Sequence, residues 1–332
     1  MVGPGVARPQ GKSLRVVLFG DGQWAADTVE RLAPGPHRVV GVVLRVRPTD
    51  ATLDDAARRA GIPVKQFANV NGDELRRWLD SVAPDINLSI AFDQIVRRPL
   101  LEAPPHGFLN IHAGKLPAYR GRNVVNWAII NGETEIGLTA HLMDEGIDTG
   151  DILLQRVLPI GWTDGYGDVL RRVTAAVPAL VVETLDAIAA GTARRHPQDP
   201  AGATYFGGRQ EGDEWLDWSE PSHRLHNKIR AITRPGPGAR TTLEGDVAII
   251  WQAFFDPAWP KYIATPGQVV GREEGGVLVK TGDSTLLVRE VQLASRAPET
   301  PSWRVGTRLG VDIHTVVEQM ARRMQRERGE RI

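Results

Sequence analysis

At 332 residues the chain exceeds one typical domain, and two domains are expected. Forty basic side chains balance forty acidic ones, so the broad basic excess of a protein that grips nucleic acid over a wide surface is excluded, while a local patch stays open. There is no cysteine, which removes disulfide scaffolds, thiolate metal sites and cysteine nucleophiles. No apolar run reaches the roughly 18 residues of a membrane span, and the first dozen residues lack the apolar stretch of a secretory signal. A short disordered leader over 1–12 and a cytoplasmic, membrane-free protein are expected.

In chain order, the apolar run 14–19 predicts a strand covered on both faces. A helix over 25–32 and a strand over 39–44 follow. The helix predicted over 54–60 is closed by Gly61 with Pro63 behind it. Leu75, Trp78, Leu79 and Val82 fall at helical spacing within 73–82. A strand over 85–92, a short helix around Leu100 stopped by Pro104 and Pro105, and a strand over 108–112 continue the alternation. This rhythm predicts an α/β fold, a doubly wound and mostly parallel Rossmann-like sheet. A helix over 124–131, strands over 136–143 and 152–158, and a long helix over 168–190 with a bend at Pro178 complete the first half.

The stretch 191–208, rich in Gly, Pro and polar residues, reads as a linker. Residues 13–208 are thus expected to form the first domain, linker included, and 209–332 a smaller β-rich one. In that second part a helix over 222–232 precedes strands over 247–253, 268–270, 276–280 and 285–293, spaced as in a small barrel. A final helix is expected over 311–326. Its Arg322, Arg323, Arg326 and Arg328 are interleaved with glutamates and read as a solvated face.

Three patterns bear on chemistry. Gly20-Asp21-Gly22-Gln23-Trp24-Ala25 fits a loose dinucleotide turn between a strand and a helix. The second strand, however, ends on Arg45 instead of an acid, which at best suits NADP, and a tight packing turn is the preferred reading. His223 and His226 form an HxxH without a third ligand nearby, and read as packing. The richest stretch is 107–155. There Asn110 and His112 stand at i and i+2 of one strand, on one face. A Pro- and Gly-punctuated loop, 115–121, follows where sites of such sheets lie. An acidic loop, Asp144-Glu145-Gly146-Ile147-Asp148-Thr149-Gly150, then joins two strands.

Together these Asn-x-His, Tyr-Arg-Gly-Arg and Asp-x-Gly-x-Asp-Thr-Gly elements resemble the signature of the 10-formyltetrahydrofolate-dependent formyltransferases, and the likeness extends over nearly the whole chain. Residues 215–240 resemble the start of the C-terminal domain of methionyl-tRNA and aminosugar formyltransferases. The resemblance implies catalytic roles for Asn110, His112 and Asp148. It implies a folate site made by the backbone of Gln94, Ile95 and Val96, by Arg122, and by the loop Asp144, Glu145, Gly146, Ile147 and Asp148. It further implies 10-formyltetrahydrofolate as co-substrate and no metal.

The acceptor is expected to be a small primary amine, most simply a nucleotide-linked amino sugar. Methionyl-tRNA and the hydroxyornithine of siderophore assembly are the alternatives. The methionyl-tRNA enzymes carry a longer basic insertion after the second strand, where this chain has Arg45-Val46-Arg47-Pro48 followed by a base-free, Asp-containing stretch. The wording of 226–239 and 126–133 is closer to the aminosugar enzymes. A nucleic-acid partner is therefore not expected, and analogy with the sugar enzymes suggests a homodimer.

Overall fold

The computed structural model describes residues 12–293, 296–310 and 317. The leader apart from Lys12, and the final helix with its arginine cluster apart from Val317, lie outside the described residues. The chain divides into two compact units. The first takes Met1–Val125, Glu135–Ile160 and Val169–Gly208, and the second takes Asn126–Thr134, Gly161–Asp168 and Arg209–Ile332. No helix among the described residues is long and apolar enough to cross a membrane.

The elements run β1 (Arg15–Gly20), α1 (Gly22–Leu32), β2 (Arg38–Leu44), α2 (Thr52–Arg59), β3 (Val64–Gln66), α3 (Asp73–Val82), β4 (Ile86–Ile90), α4 (Arg98–Leu101) and β5 (Phe108–His112). There follow β6 (Arg120–Gly121), α5 (Val124–Ile130), β7 (Glu135–Leu142), β8 (Ile152–Pro159), α6 (Tyr166–Ala189) and β9 (Tyr205–Phe206). The second half adds α7 (Ser222–Ile232), β10 (Ala239–Leu243), β11 (Asp246–Phe254), β12 (Val269–Glu273), β13 (Gly276–Lys280) and β14 (Thr285–Leu293).

Seven strands of the first unit form one sheet in the order β3-β2-β1-β4-β5-β7-β8. The first five are parallel, and β7 and β8 are antiparallel. The parallel strands are apolar runs because helices follow them in βαβ crossovers and both faces are covered. Every residue of β4 is buried. Phe19 of β1 meets Phe108 of β5 at 4.9 Å between ring centres and Phe92 at 5.6 Å. Leu75, Leu79, Val96, Leu100 and Leu101 pack into the same cluster. Burial of each such large side chain contributes about 1.5–3 kcal/mol. This core anchors the carboxyl ends of β4 and β5, from which the site is built.

Besides the two-residue β6 and β9, two strands escape a reading by periodicity. β3 has three residues, one of them lysine, and β10 carries two consecutive threonines. α6 runs through Pro178 as one element of 24 residues. The 191–208 stretch is not a free linker in its path. His196 exchanges two backbone hydrogen bonds with Ile152, both 2.9 Å, and β9 pairs with β6. Its polar composition reflects a surface segment whose backbone groups are paired by the first unit.

In the second unit, β10-β11-β14-β13-β12 form a five-stranded antiparallel sheet. α7 buries Leu225, Ile229 and Ile232. Bridges from Leu243 to Leu309 and from Gln268 to Arg308 bring one short segment to both margins of the sheet. That arrangement covers edges that would otherwise present unpaired backbone groups.

Candidate active site

The period of two along β5 places Asn110 and His112 on one face. The antiparallel partner β7 sets His141 opposite Asn110, and Thr139 opposite His112. Asp148 reaches the same place from the loop after β7. Its backbone is left-handed, φ 55°, a conformation costly for a non-glycine residue and held by the surroundings. Gln198 does the holding, donating from Nε2 to the carbonyls of Asp148 (2.8 Å) and Gly150 (2.7 Å). Buried Arg120 in turn donates to Gln198 Oε1 at 2.7 Å and to the Tyr205 hydroxyl at 2.7 Å.

The functional atoms converge. Asp148 Oδ2 lies 3.6 Å from His112 Nδ1 and accepts from the Gly121 N–H at 2.9 Å. Asp148 Oδ1 lies 3.5 Å from both Asn110 Nδ2 and His141 Nε2. On its other side the His112 ring donates from Nε2 to the Tyr119 carbonyl at 2.6 Å. Neutral His112 therefore carries its proton on Nε2 and its lone pair on Nδ1, facing Asp148. Gly114 permits this: a side chain there would collide with the His112 ring and with the Tyr119 carbonyl.

Burial lowers the pKa of His112 below the ordinary 6.5, although Asp148 and the Tyr119 carbonyl oppose the shift and His141 adds to it. For Asp148, burial pushes the pKa up. The neighbouring His141 and His112 and the Gly121 N–H outweigh it, and the carboxyl falls to about 2. At neutral pH the pair is thus a neutral imidazole beside a carboxylate, the arrangement of a base whose conjugate acid is stabilised in place.

Two loops flank this cluster. In the first, Gln94 turns its side chain inward, donating to the Phe67 carbonyl at 3.0 Å and accepting from the Val70 N–H at 3.1 Å. Val96 is buried in the core, whereas Ile95 is 77% exposed. Asn71 braces the loop from below, donating to the Ile95 carbonyl and accepting from the Arg97 N–H. In the second loop, Asp144 accepts from the Gly146 N–H and the Thr149 hydroxyl and so closes its own turn. Ile147 is 60% exposed, and Glu145 lies 3.8 Å from Arg98, which begins α4 just beyond the first loop. Of the three carboxylates in this loop, only Asp148 joins the cluster.

Residues 14–185 match the formyl transferase family, and 210–304 match the formyl transferase C-terminal domain. The chain belongs to the formyl transferase family. It is 37% identical over 305 residues to a methionyl-tRNA formyltransferase of a Synechococcus species, covering 86% of this chain and 93% of that one. It is 33% identical over 310 residues to the methionyl-tRNA formyltransferase of Desulfotalea psychrophila, covering 91% and 95%. Among solved structures, the N-formyltransferase of Helicobacter canadensis in complex with folinic acid and dTDP-3-aminofucose superposes with a TM-score of 0.66 at 21% identity, over 83% of this chain and 99% of that one. That last likeness is one of fold.

In this formyltransferase the structure brings Asn110, His112 and Asp148 together. Arg122 stays exposed and outside the network, and Arg120, the first arginine of the same motif, is the buried one. His141, Arg120 and Gln198 were not legible as site residues. The alternation of Thr139 and His141 along β7 was a usable signal, but its register against β5 was not. The turn at Gly20 is a packing turn. A side chain there would press on Ala25 and on the Ile90 carbonyl. Asp21 is occupied by the Thr49 N–H and by Arg45 at 3.2 Å, so Arg45 is not held out for a 2′-phosphate. The HxxH pair splits. His223 is exposed, while His226 is buried and stacks on Trp162 at 4.7 Å. Among the described residues no three His, Cys, Asp or Glu side chains are grouped as metal ligands would be.

Proposed function

We propose that this formyltransferase passes the formyl group of 10-formyltetrahydrofolate to a primary amine of a small acceptor, an amino sugar carried on a nucleotide. The observation that supports the chemistry is the tautomer of His112. With Nε2–H tied to the Tyr119 carbonyl, the basic lone pair sits on Nδ1, beside Asn110 and Asp148.

The neutral amine attacks the formyl carbon, forming a C–N bond and turning the carbonyl oxygen into an oxyanion. The Asn110 amide donates to that oxygen. His112 Nδ1 takes the proton released by the amine nitrogen, and Asp148 stabilises the imidazolium. Collapse of the oxyanion breaks the bond to N10 of the folate, and that proton returns to N10. The folate ring lies between exposed Ile95 and Ile147, on backbone groups of 94–96 and 144–148, with Arg122 at the margin.

Charge supports the small acceptor. Residues 209–332 carry eighteen basic and seventeen acidic side chains, close to balance. The connection between β2 and α2 is short, and its Arg45 is spent on Asp21. A cavity of about 800 Å³ in the second unit, bounded by Trp127, Asn131, Arg209, His223, Arg224 and Lys228, has room for a nucleoside diphosphate. A second reading, transfer to methionyl-tRNA, is favoured by the names of the relatives, 33% and 37% identical over most of the chain.

Salt separates the two. A tRNA acceptor held through several phosphates loses affinity with a log–log slope of about −0.9 per contact on a duplex. For the small acceptor, kcat/KM is expected to fall only shallowly between low and physiological salt, and bulk tRNA to leave the rate unchanged. A steep slope with competition by tRNA would reverse the choice.

A further inference from the structure

We infer that His141 is a positioning residue that fixes the amide of Asn110 in the orientation its catalysis requires. The inference rests on the reading of Asn110 as the donor to the oxyanion. Asn110 and His141 are direct cross-strand partners of β5 and β7, so their side chains meet on one face through the sheet register itself. His141 is 2% exposed and sits at a register irregularity between β7 and β8. Its Nδ1 lies 2.9 Å from the Leu142 carbonyl, which can only accept. In the neutral ring the proton is therefore on Nδ1, and Nε2 presents a lone pair. That lone pair lies 3.1 Å from Asn110 Nδ2.

The second neighbour of Asn110 Nδ2 is the Asp148 carboxylate at 3.5 Å. Both neighbours are acceptors. Were the amide flipped, its oxygen would face a lone pair on one side and a carboxylate on the other, with no hydrogen between. His141 and Asp148 together thus select the NH₂-inward rotamer. The N–H held by His141 anchors the group. The other is stretched at 3.5 Å, beyond a good hydrogen bond, and is free to leave Asp148 for an incoming formyl oxygen. Asp148 cannot fix the amide alone, because its Oδ1 stands 3.5 Å from Nδ2 and its Oδ2 is turned to the Gly121 N–H and His112.

The test is a double-mutant cycle on kcat with both substrates saturating. His141→Phe keeps a ring and removes the acceptor, and is expected to lower kcat about tenfold with the KM for 10-formyltetrahydrofolate within about twofold. His141→Gln, which restores an acceptor oxygen, is expected to recover most of the rate. In an Asn110→Ala background, His141→Phe should cost nothing further. His141→Leu serves in the same cycle if the phenylalanine variant does not fold. Unchanged kcat in folded His141→Phe, or an equal loss with and without Asn110, overturns the positioning role while leaving the oxyanion reading intact. Wild-type kcat in Asn110→Ala alone overturns the oxyanion reading and this inference with it.

Discussion

His112→Ala is expected to lower kcat by about 10³-fold, within the roughly 10²–10⁴ range of a general acid–base group. The side chain is buried, hydrogen-bonded at Nε2 and open for proton transfer at Nδ1. Neither Tyr119 O nor the Asp148 carboxylate, with its pKa at about 2, can replace a base that works near neutrality. Because the imidazole takes up charge only as the new bond forms, kcat and kcat/KM should fall together. The ring lies against Gly114, so its removal opens a small space without exposing the core. Thermal unfolding should shift modestly. Single-turnover transfer from 10-formyltetrahydrofolate measures the effect. A rate within about threefold of the parent would remove His112 from the proton transfer.

Asp148→Asn is expected to cost almost as much, by a different route. The substitution keeps shape and removes charge. If its amide oxygen still accepts from Gly121 N–H, the amide NH₂ faces Asn110 Nδ2, and two donors meet where a donor and an acceptor met before. The larger effect is on His112. The carboxylate raises the pKa of His112 against burial, so its loss moves that pKa further down. The imidazolium formed on proton transfer then has no counter-charge. Ring-proton NMR should place the His112 midpoint below 6.5 in the parent and lower still in Asp148→Asn. A midpoint that rises in the variant would contradict the assigned electrostatics. The same carboxylate ties stability to pH. Its folded pKa of about 2 lies below the unfolded 3.8, so its contribution is complete above roughly pH 4 and fades as pH falls through about 2.

Much of this was readable in the residues, for identifiable reasons. The apolar runs at β1, β2 and β4 are continuous because both faces of a parallel sheet are covered, and such runs stand out. Asn110 and His112 share a strand, so a period of two predicts their common face. Asp148 sits in a loop whose glycines and acids are conspicuous. What stayed hidden depends on long-range register. His141 acquires meaning only through the antiparallel pairing of β5 with β7, and Gln198 only because 191–208 runs back along the first unit. Arg120 and Arg122 are equivalent in the motif, and only the path of β6 beside β9 buries the first and exposes the second. β3 was missed because three residues cannot display a period.

The acceptor decides between an amino sugar formyltransferase and a methionyl-tRNA one. The decisive measurement incubates the enzyme with 10-formyltetrahydrofolate and either a panel of nucleotide-linked amino sugars or charged initiator methionyl-tRNA, and follows the formylated product by mass spectrometry. We expect at least one amino sugar nucleotide to be formylated with a kcat/KM of roughly 10⁴ M⁻¹s⁻¹ or more, and methionyl-tRNA to be a poor acceptor. Efficient formylation of methionyl-tRNA, with no turnover of any small amine, would contradict this expectation.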